Sequence, residues 1–548
     1  MVITARLAAA TLAAALFALA LLPRAQAHAL LDPLAGHALH DQSIAAVQRR
    51  AAVCGGIALL IAAAAPLLLR LERGTLPRER ISKSAIVIIA VGVVVRVILL
   101  FGPPHYDECY TVTDLVWKSP LFFLSRYPVP NNHVFQTLLV WCVWLVAGNR
   151  LWALRLPAFL CGIAILPATY LLARRAAGER AALLATALAA GATPLIEYSA
   201  QARGYTLVTL AFLLLFLIDD DRVRALLVAL GAWTMPTMLF AAAAWALWMA
   251  VAQRAWRRIA AVAAASAALT FLLYLPILVF SSPASITSNG TVQSLSFGYR
   301  DLLRELPRSF ADGWQRWSVS FTLPFAIVAG CAALVAMARR RPAGILLATA
   351  IVAIVPLLLL TQTAPFSRIW TMVLPLYLIA AADTFAVVPR AHYAAAAIAV
   401  LTAANALRCT SRESFIDDPE LRDVARIDAA IRALPADACV FVTPPLDSPI
   451  RLYHAGAPQR IVAYPFLDDA VSTRAALAAA RHRYFAGNPR GSDLGGYLEL
   501  ALPYALVPAV RFPHAVLYEL QVEDGHAGED QRAAGGLHPS EPLAQRHD

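Results

Sequence analysis

Asp107 and Glu108 stand side by side directly behind an apolar stretch, Ser84 to Phe101, in the context Phe101-Gly102-Pro103-Pro104-His105-Tyr106-Asp107-Glu108-Cys109-Tyr110. Acidic groups at the edge of hydrocarbon lose hydration, and membrane proteins keep them chiefly where they act on something. Desolvation also makes a carboxylate hold a proton more tightly, which suits a group that exchanges protons near neutral pH. Further along the chain, His133 follows Asn131 and Asn132, Arg155 opens an apolar run, Arg203 sits between Glu197 and Tyr205, and Arg368 lies in Ala364-Pro365-Phe366-Ser367-Arg368-Ile369-Trp370. A guanidinium is a strong bidentate ligand for phosphate oxygens. These residues together suit proton abstraction beside a bound anion. The competing readings are a solvated capping loop for the acidic pair, headgroup contact for the arginines and a solvent-facing helix start for His133.

The elements that position them are membrane helices. Of 548 residues, 59% are hydrophobic and 15% charged, whereas a soluble domain carries about a quarter charged residues. The apolar residues come in runs near the ~20 needed to cross a bilayer, and in lipid such runs form a helical bundle. The net charge of +11 reflects basic loops between apolar runs rather than a nucleic-acid surface. The seven cysteines (54, 109, 142, 161, 331, 409, 439) show no C-x-x-C spacing and read as core residues. Cys409 and Cys439 are a candidate pair if their region is oxidising. No Gly-rich phosphate loop is evident. Asp219-Asp220-Asp221, followed by Arg222 and Arg224, reads as a solvated turn rather than a metal triad.

Charge asymmetry orients the spans. Residues 1–27 are a signal peptide or a first transmembrane helix. Residues 28–83 add one helix, Ala51 to Leu69, and the loop Arg70 to Lys83 is basic and therefore cytoplasmic. Ser84 to Phe101 then runs outward and places Asp107 and Glu108 on the outer face, within an outer loop 102–150. Thr111–Ser125 and His133–Ala147 are predicted to lie on the interface with Trp117, Trp141 and Trp144, which leaves Arg174, Arg175 and Arg180 inside. A hairpin over Ala225–Val251 breaks at Pro236, and Ser281–Trp317 forms a second outer loop. The core ends at 408. Residues 409–548 form an extracytoplasmic domain with strands at Cys439–Val442 and Arg460–Ala463 and helices at Glu420–Ala433 and Thr473–His482, followed by a disordered tail. The fold class is an all-α polytopic membrane protein with a small α/β C-terminal domain.

An outward helix followed by Asp-Glu and Tyr resembles the GT-C membrane glycosyltransferases, in particular the protein O-mannosyltransferase and lipid A aminoarabinose transferase group. Pro130-Asn131-Asn132-His133-Val134-Phe135 resembles that group's Asn-His-Pro segment. Arg155-Leu156-Pro157-Ala158 resembles the start of its second span and Leu172-Ala173-Arg174-Arg175 that span's basic end. Tyr198-Ser199-Ala200-Gln201-Ala202-Arg203-Gly204-Tyr205 resembles its Tyr-x-x-x-x-Arg-x-Tyr segment, and Arg368 the arginine before its closing helices. The resemblance covers roughly residues 84 to 390. Val134 stands where proline is common, and Thr234-Met235-Pro236 where several relatives have Lys or His.

The resemblance implies a GT-C helical bundle that transfers a sugar, with inversion, from a polyprenyl-phosphate donor to an acceptor hydroxyl of a glycan, lipid or protein at the outer face of the inner membrane. Asp107 is then the base and Glu108 its partner, while His133, Arg155, Arg203, Tyr205 and Arg368 bind substrate. No cofactor is assigned, and a divalent metal, to which Glu108 would contribute, stays open. The rival is a lipid or glycolipid transporter, which places polar groups near the bilayer midplane, often in paired inverted halves. No internal repeat is evident here and the polar groups gather toward one face. A membrane-anchored binding protein without catalysis is a third reading.

Overall fold

The computed structural model describes residues 2–31, 41–68, 71–74, 79–319, 321–386, 419–464, 469–488 and 502–522, with scattered positions in 393–405 and at 497 and 500. Cys409, Arg70, Arg78 and the predicted tail lie outside the described residues. The chain divides into two compact units, one of residues 1–102 and 115–415, the other of residues 103–114 and 416–548. The segment carrying Asp107 and Glu108 thus groups with the C-terminal region, whereas the sequence reading grouped it with the membrane core.

The helices used below are α1 (Val2–Leu21), α2 (Asp41–Leu68), α3 (Lys83–Leu100), α4 (Tyr106–Tyr110), α5 (Val134–Ala147), α6 (Leu156–Gly191) and α7 (Tyr205–Leu217). They continue as α8 (Asp221–Thr234), α9 (Met238–Trp248), α10 (Trp256–Phe280), α11 (Tyr299–Ser318), α12 (Leu323–Ala338), α13 (Pro342–Thr361) and α14 (Leu374–Phe385). The second unit adds α15 (Val424–Arg432), α16 (Asp447–His454) and α17 (Ala470–Ala479). Among the described residues, five helices are long and apolar enough to cross a membrane, or six if α11 and α12 form one bent span.

In the first unit, α6 is the axis. The Ala-rich half from Ala181 to Ala190 is buried throughout, because small side chains let α3, α7 and α14 pack closely around it. Gly92 of α3 serves the same approach: a Cβ there would lie 2.7 Å from Leu166 Cδ1 and 3.0 Å from Ala190 Cβ. The helical path of α6 breaks at Gly178, whose φ of 83° belongs to the region that favours glycine. The turn predicted between Ala173 and Ala181 is this break. The hairpin predicted to break at Pro236 is α8 and α9, which end and restart on either side of it.

Charged segments far apart in sequence meet at one face of this unit. Glu79 bonds Arg175, Asp221 N–H donates to Glu72 O, and Arg258 bridges Asp219 and Asp221 at 2.8 Å each. Arg224 binds Asp221 at 3.0 Å. The solvated turn expected for Asp219-Asp220-Asp221 holds for Asp219, whose side chain is 65% exposed, and is corrected at Asp221, which is 1% exposed and belongs to an ion-pair network, while Asp220 caps α8 by accepting from Arg222 and Val223 N–H.

The second unit is a five-stranded sheet ordered β2-β1-β3-β5-β4. Its strands are β1 (Cys439–Val442), β2 (Arg460–Ala463), β3 (Arg483–Gly487), β4 (Tyr504–Arg511) and β5 (Val516–Val522). β1 pairs parallel with β2 and β3, and β5 pairs antiparallel with β3 and β4. One face packs on Val424, Ile427, Ile431, Leu446 and Ile450. The other buries Phe441, Phe485, Tyr497 and Tyr518.

Candidate functional site

The His133–Arg203 centre is built where three breaks in regular structure converge. The chain turns at Tyr198–Ala200, a 3-10 helix between α6 and α7, and at Ser367–Met372, a second 3-10 turn before α14. His133 is the N-cap residue of α5. Its Nδ1 accepts the Gly204 N–H at 2.9 Å, and its ring stands edge-on to Tyr205 with centroids 5.3 Å apart. Gly204 is required by packing: a Cβ would lie 2.3 Å from Thr234 Cγ2 and 3.1 Å from His133 Nδ1.

Arg203 is buried. It donates to Asn131 Oδ1 and to the Tyr205 hydroxyl at 3.5 Å, and its guanidinium lies 5.6 Å from the Tyr205 ring centroid. Burial, followed by the positive charges of Arg203 and Arg368, holds the His133 imidazole well below its ordinary pKa. The charge of Arg368 also acts on the Tyr198 hydroxyl, whose pKa burial raises. Tyr198 lies 4.4 Å from Tyr205, ring to ring. The structure thus brings together His133, Arg203, Tyr205 and Arg368 from three separate stretches of chain.

Arg155 has a different setting. It is buried, and its Nη1 donates to Leu100 O at 2.8 Å and Gly102 O at 3.0 Å, which satisfies carbonyls at the end of α3.

Asp107 and Glu108 belong to the second unit. Both lie in the first turn of α4, where negative side chains favour the helix dipole. Glu108 is fully buried, and its Oε1 accepts the His105 N–H at 3.0 Å, the reciprocal half of a capping box. Asp107 is half-buried, and its carbonyl accepts from Thr111 Oγ1 at 2.9 Å. Among the described residues, no group of three or more His, Cys, Asp and Glu gathers as a metal-binding set, so no step is assigned to a metal.

Sequence reasoning missed two arginines. Arg96 is buried inside α3 and donates to Ser199 Oγ at 3.2 Å and to Gly92 O, Ala189 O and Ala190 O. It pins the end of α6 to the turn that carries Tyr198. A lone arginine in an apolar span was the available signal. Arg316 of α11 binds both oxygens of Glu197, at 2.9 and 3.2 Å, and lies 5.6 Å from the Tyr198 ring centroid. Its signal is absent from the sequence, because α11 is a polar helix in a long loop.

An apolar cavity of about 460 Å³ opens among α8, α9 and α10. Ala232, Pro236, Trp245, Val262 and Tyr274 are among its lining. Tyr274 of this lining packs in one cluster with Tyr127 and with Val134, the residue that follows His133, so one end of the cavity abuts the His133–Arg203 centre.

No known protein-family profile matches the chain, and no curated protein matches it in sequence. The fold matches solved structures. ArnT from Cupriavidus metallidurans in the apo state aligns over 79% of this chain and 97% of its own, with 14% identity and a TM-score of 0.54. The same protein bound to undecaprenyl phosphate aligns over the same shares with a TM-score of 0.53. The fold is that of the GT-C membrane glycosyltransferases.

Proposed function

We propose that this protein is a membrane glycosyltransferase that moves a sugar from a polyprenyl-phosphate donor to an acceptor hydroxyl, at the outer face of the inner membrane. One observation carries the reading: a buried cationic and aromatic centre abuts an apolar cavity among membrane helices. A polyprenyl phosphate presents this combination, an anion joined to a long hydrocarbon, and a solved structure of similar fold is bound to undecaprenyl phosphate.

In this reading Arg203 and Arg368 hold the phosphate. His133, kept neutral, stays an acceptor for Gly204 N–H and fixes the turn that presents Arg203. The isoprenoid lies along α8, α9 and α10. Asp107 takes the proton from the acceptor hydroxyl as its oxygen bonds to the anomeric carbon. The bond from that carbon to phosphate oxygen breaks with inversion, and polyprenyl phosphate leaves, its charge stabilised by guanidinium groups. Glu108 orders the loop through its cap rather than touching the sugar. Arg155 holds the end of α3.

The test is transfer in proteoliposomes from a panel of radiolabelled undecaprenyl-phosphate sugars. Wild type transfers label from at least one donor, whereas D107N loses transfer and retains binding of undecaprenyl phosphate. Undiminished transfer by D107N sinks the base assignment. Failure of wild type to bind undecaprenyl phosphate sinks the whole reading.

A further inference from the structure

The helical stretch made of α4 and the π-helical turn Thr111–Val116 that continues it is too short to fix its own orientation, because helix nucleation is unfavourable and short helices depend on tertiary packing. Helix α4 carries Asp107, and its packing partner is α16 of the α/β domain. Tyr106 packs against the core formed by β1, α15 and α16. Beyond α4, Asp114 receives Arg451 Nη1 on both carboxylate oxygens, at 3.3 and 3.1 Å, and also Thr113 Oγ1 at 2.7 Å. The Arg451 and Asp114 side chains are 18% and 7% exposed. The ion pair is therefore largely withdrawn from water, where its geometry is far more restrictive than that of a surface pair.

Arg451 lies on the helix that follows the carboxyl end of β1. In open sheets that end, beside the strand where the order reverses, is where α/β domains take ligands. Here the place is used for a piece of the chain itself. Tyr106 and Tyr110, four residues apart, share a face with ring centroids 6.5 Å apart. Asp107 points about 100° around the helix from Tyr106. Holding Tyr106 at one end and Asp114 at the other sets the rotation of the helix, and hence the direction of the Asp107 carboxylate.

We propose that the C-terminal α/β domain is a clamp on the reactive loop, in which Arg451, paired with Asp114, and Tyr106, packed on the domain core, are positioning residues for Asp107. This rests on the assignment of Asp107 as base. The domain then contributes to the chemical step without touching either substrate: it limits the carboxylate to the orientation from which it meets the acceptor hydroxyl.

The buried thiol of Cys109 in α4 reports on the clamp, and that of Cys439 in β1 reports on the integrity of the domain. The full chain in nanodiscs is treated with N-ethylmaleimide, and alkylation is read peptide by peptide. R451A is expected to speed alkylation of Cys109 at least tenfold while Cys439 keeps its wild-type rate, and R451K to restore most of the protection. Y106F, which keeps its ring in the domain core and loses only the hydroxyl, shows a smaller rise. With the labelled undecaprenyl-phosphate sugar that wild type uses, R451A loses about tenfold in kcat with KM for that donor unchanged, and R451K recovers. Should R451A unfold the domain, as accelerated Cys439 alkylation reveals, D114N takes its place with the same expectations.

The clamp is overturned if Cys109 stays protected in R451A, D114N and Y106F, or if it opens while kcat is unchanged. These outcomes differ from a failure of the base assignment, in which D107N keeps wild-type transfer whatever Cys109 reports.

Discussion

At the Leu217 end of α7, arginines meet carboxylates at hydrogen-bond distance: Arg224 and Arg258 answer Asp219, Asp221 and Glu72. At the Tyr205 end, Arg203 meets Asn131 and the Tyr205 hydroxyl, and Arg368 adds its charge beside His133. The carboxylate there, Glu197, is engaged by Arg316 and Gln201. The two ends lie about 20 Å apart along a 13-residue helix. At the Leu217 end each arginine is balanced by carboxylates, and that end behaves as a structural knot. At the Tyr205 end Arg203 meets a neutral amide and a phenol beside an imidazole, a setting that fits the proposed phosphate. Burial of charge is common to both ends, so the groups around the charge rather than burial distinguish them.

The comparison can be broken most sharply at the balanced end. D221N leaves Arg224 and Arg258 without their buried partner and is expected to destabilise the first unit by roughly 3 to 5 kcal/mol. Thermal unfolding in detergent reads this, and the undecaprenyl phosphate affinity of the surviving folded protein should stay at wild type. An affinity loss comparable to that of R203A would mean that the two ends are not separate.

R203A is the converse change. Loss of a charge-assisted phosphate contact predicts weaker undecaprenyl phosphate binding by about 2 to 4 kcal/mol, with a small change in unfolding temperature. R203K should recover only part, because an ammonium lacks the planar fork. Full recovery by lysine would show that charge alone is read at this end.

A buried charge in the second unit extends the contrast to the C-terminal domain. Burial, the leading cause, and Asp114 raise the Asp447 carboxyl to about 6 from 3.8. The folded state therefore holds this proton more tightly than the unfolded chain does. Below about pH 4 the group is protonated in both states and has no effect. As pH rises through about 6, ionising it costs the folded domain on the order of 2 to 3 kcal/mol. D447N should accordingly stabilise the domain above pH 6 and leave it unchanged below pH 4. Hydrogen exchange of β1 and β3 at the two pH values measures this, and equal stabilisation at both would exclude ionisation as the cause.

The smallest effect is expected at Gly204. G204A forces a Cβ against Thr234 and His133, and overpacking of this kind costs about 1 to 3 kcal/mol. The readout is a loss of undecaprenyl phosphate affinity greater than that of A202G, a change on the same turn. If the two lose equally, the His133–Gly204 contact does not shape the site.

The membrane bundle is legible in the residues alone, because apolar runs bounded by basic loops leave helices as the economical way to satisfy backbone groups in lipid. The sequence also located the two parallel strands Cys439–Val442 and Arg460–Ala463, since short apolar runs between helical patterns read as a buried parallel sheet. It missed β3, β4 and β5, whose partners are set by long-range pairing. For the candidate site it supplied His133, Arg203, Tyr205 and Arg368 as residues of suitable chemistry. It did not supply Arg96 and Arg316, which act on the turn from α3 and α11, elements distant in sequence.

Which charges meet is settled by the fold alone. Asp219-Asp220-Asp221 and Tyr198–Tyr205 are both polar stretches between apolar helices, and nothing local distinguishes their roles. The first is neutralised by Arg258, from a helix that begins well after it. The second gathers Arg368 from still further along the chain. Asp107 and Glu108 make the same point at neighbouring positions. They have the same charge and adjacent places in the sequence, but the turn of α4 sends Glu108 into its own cap and leaves Asp107 half-buried. Net charge at a point in space is a sum over segments remote in sequence, and only the folded chain performs it.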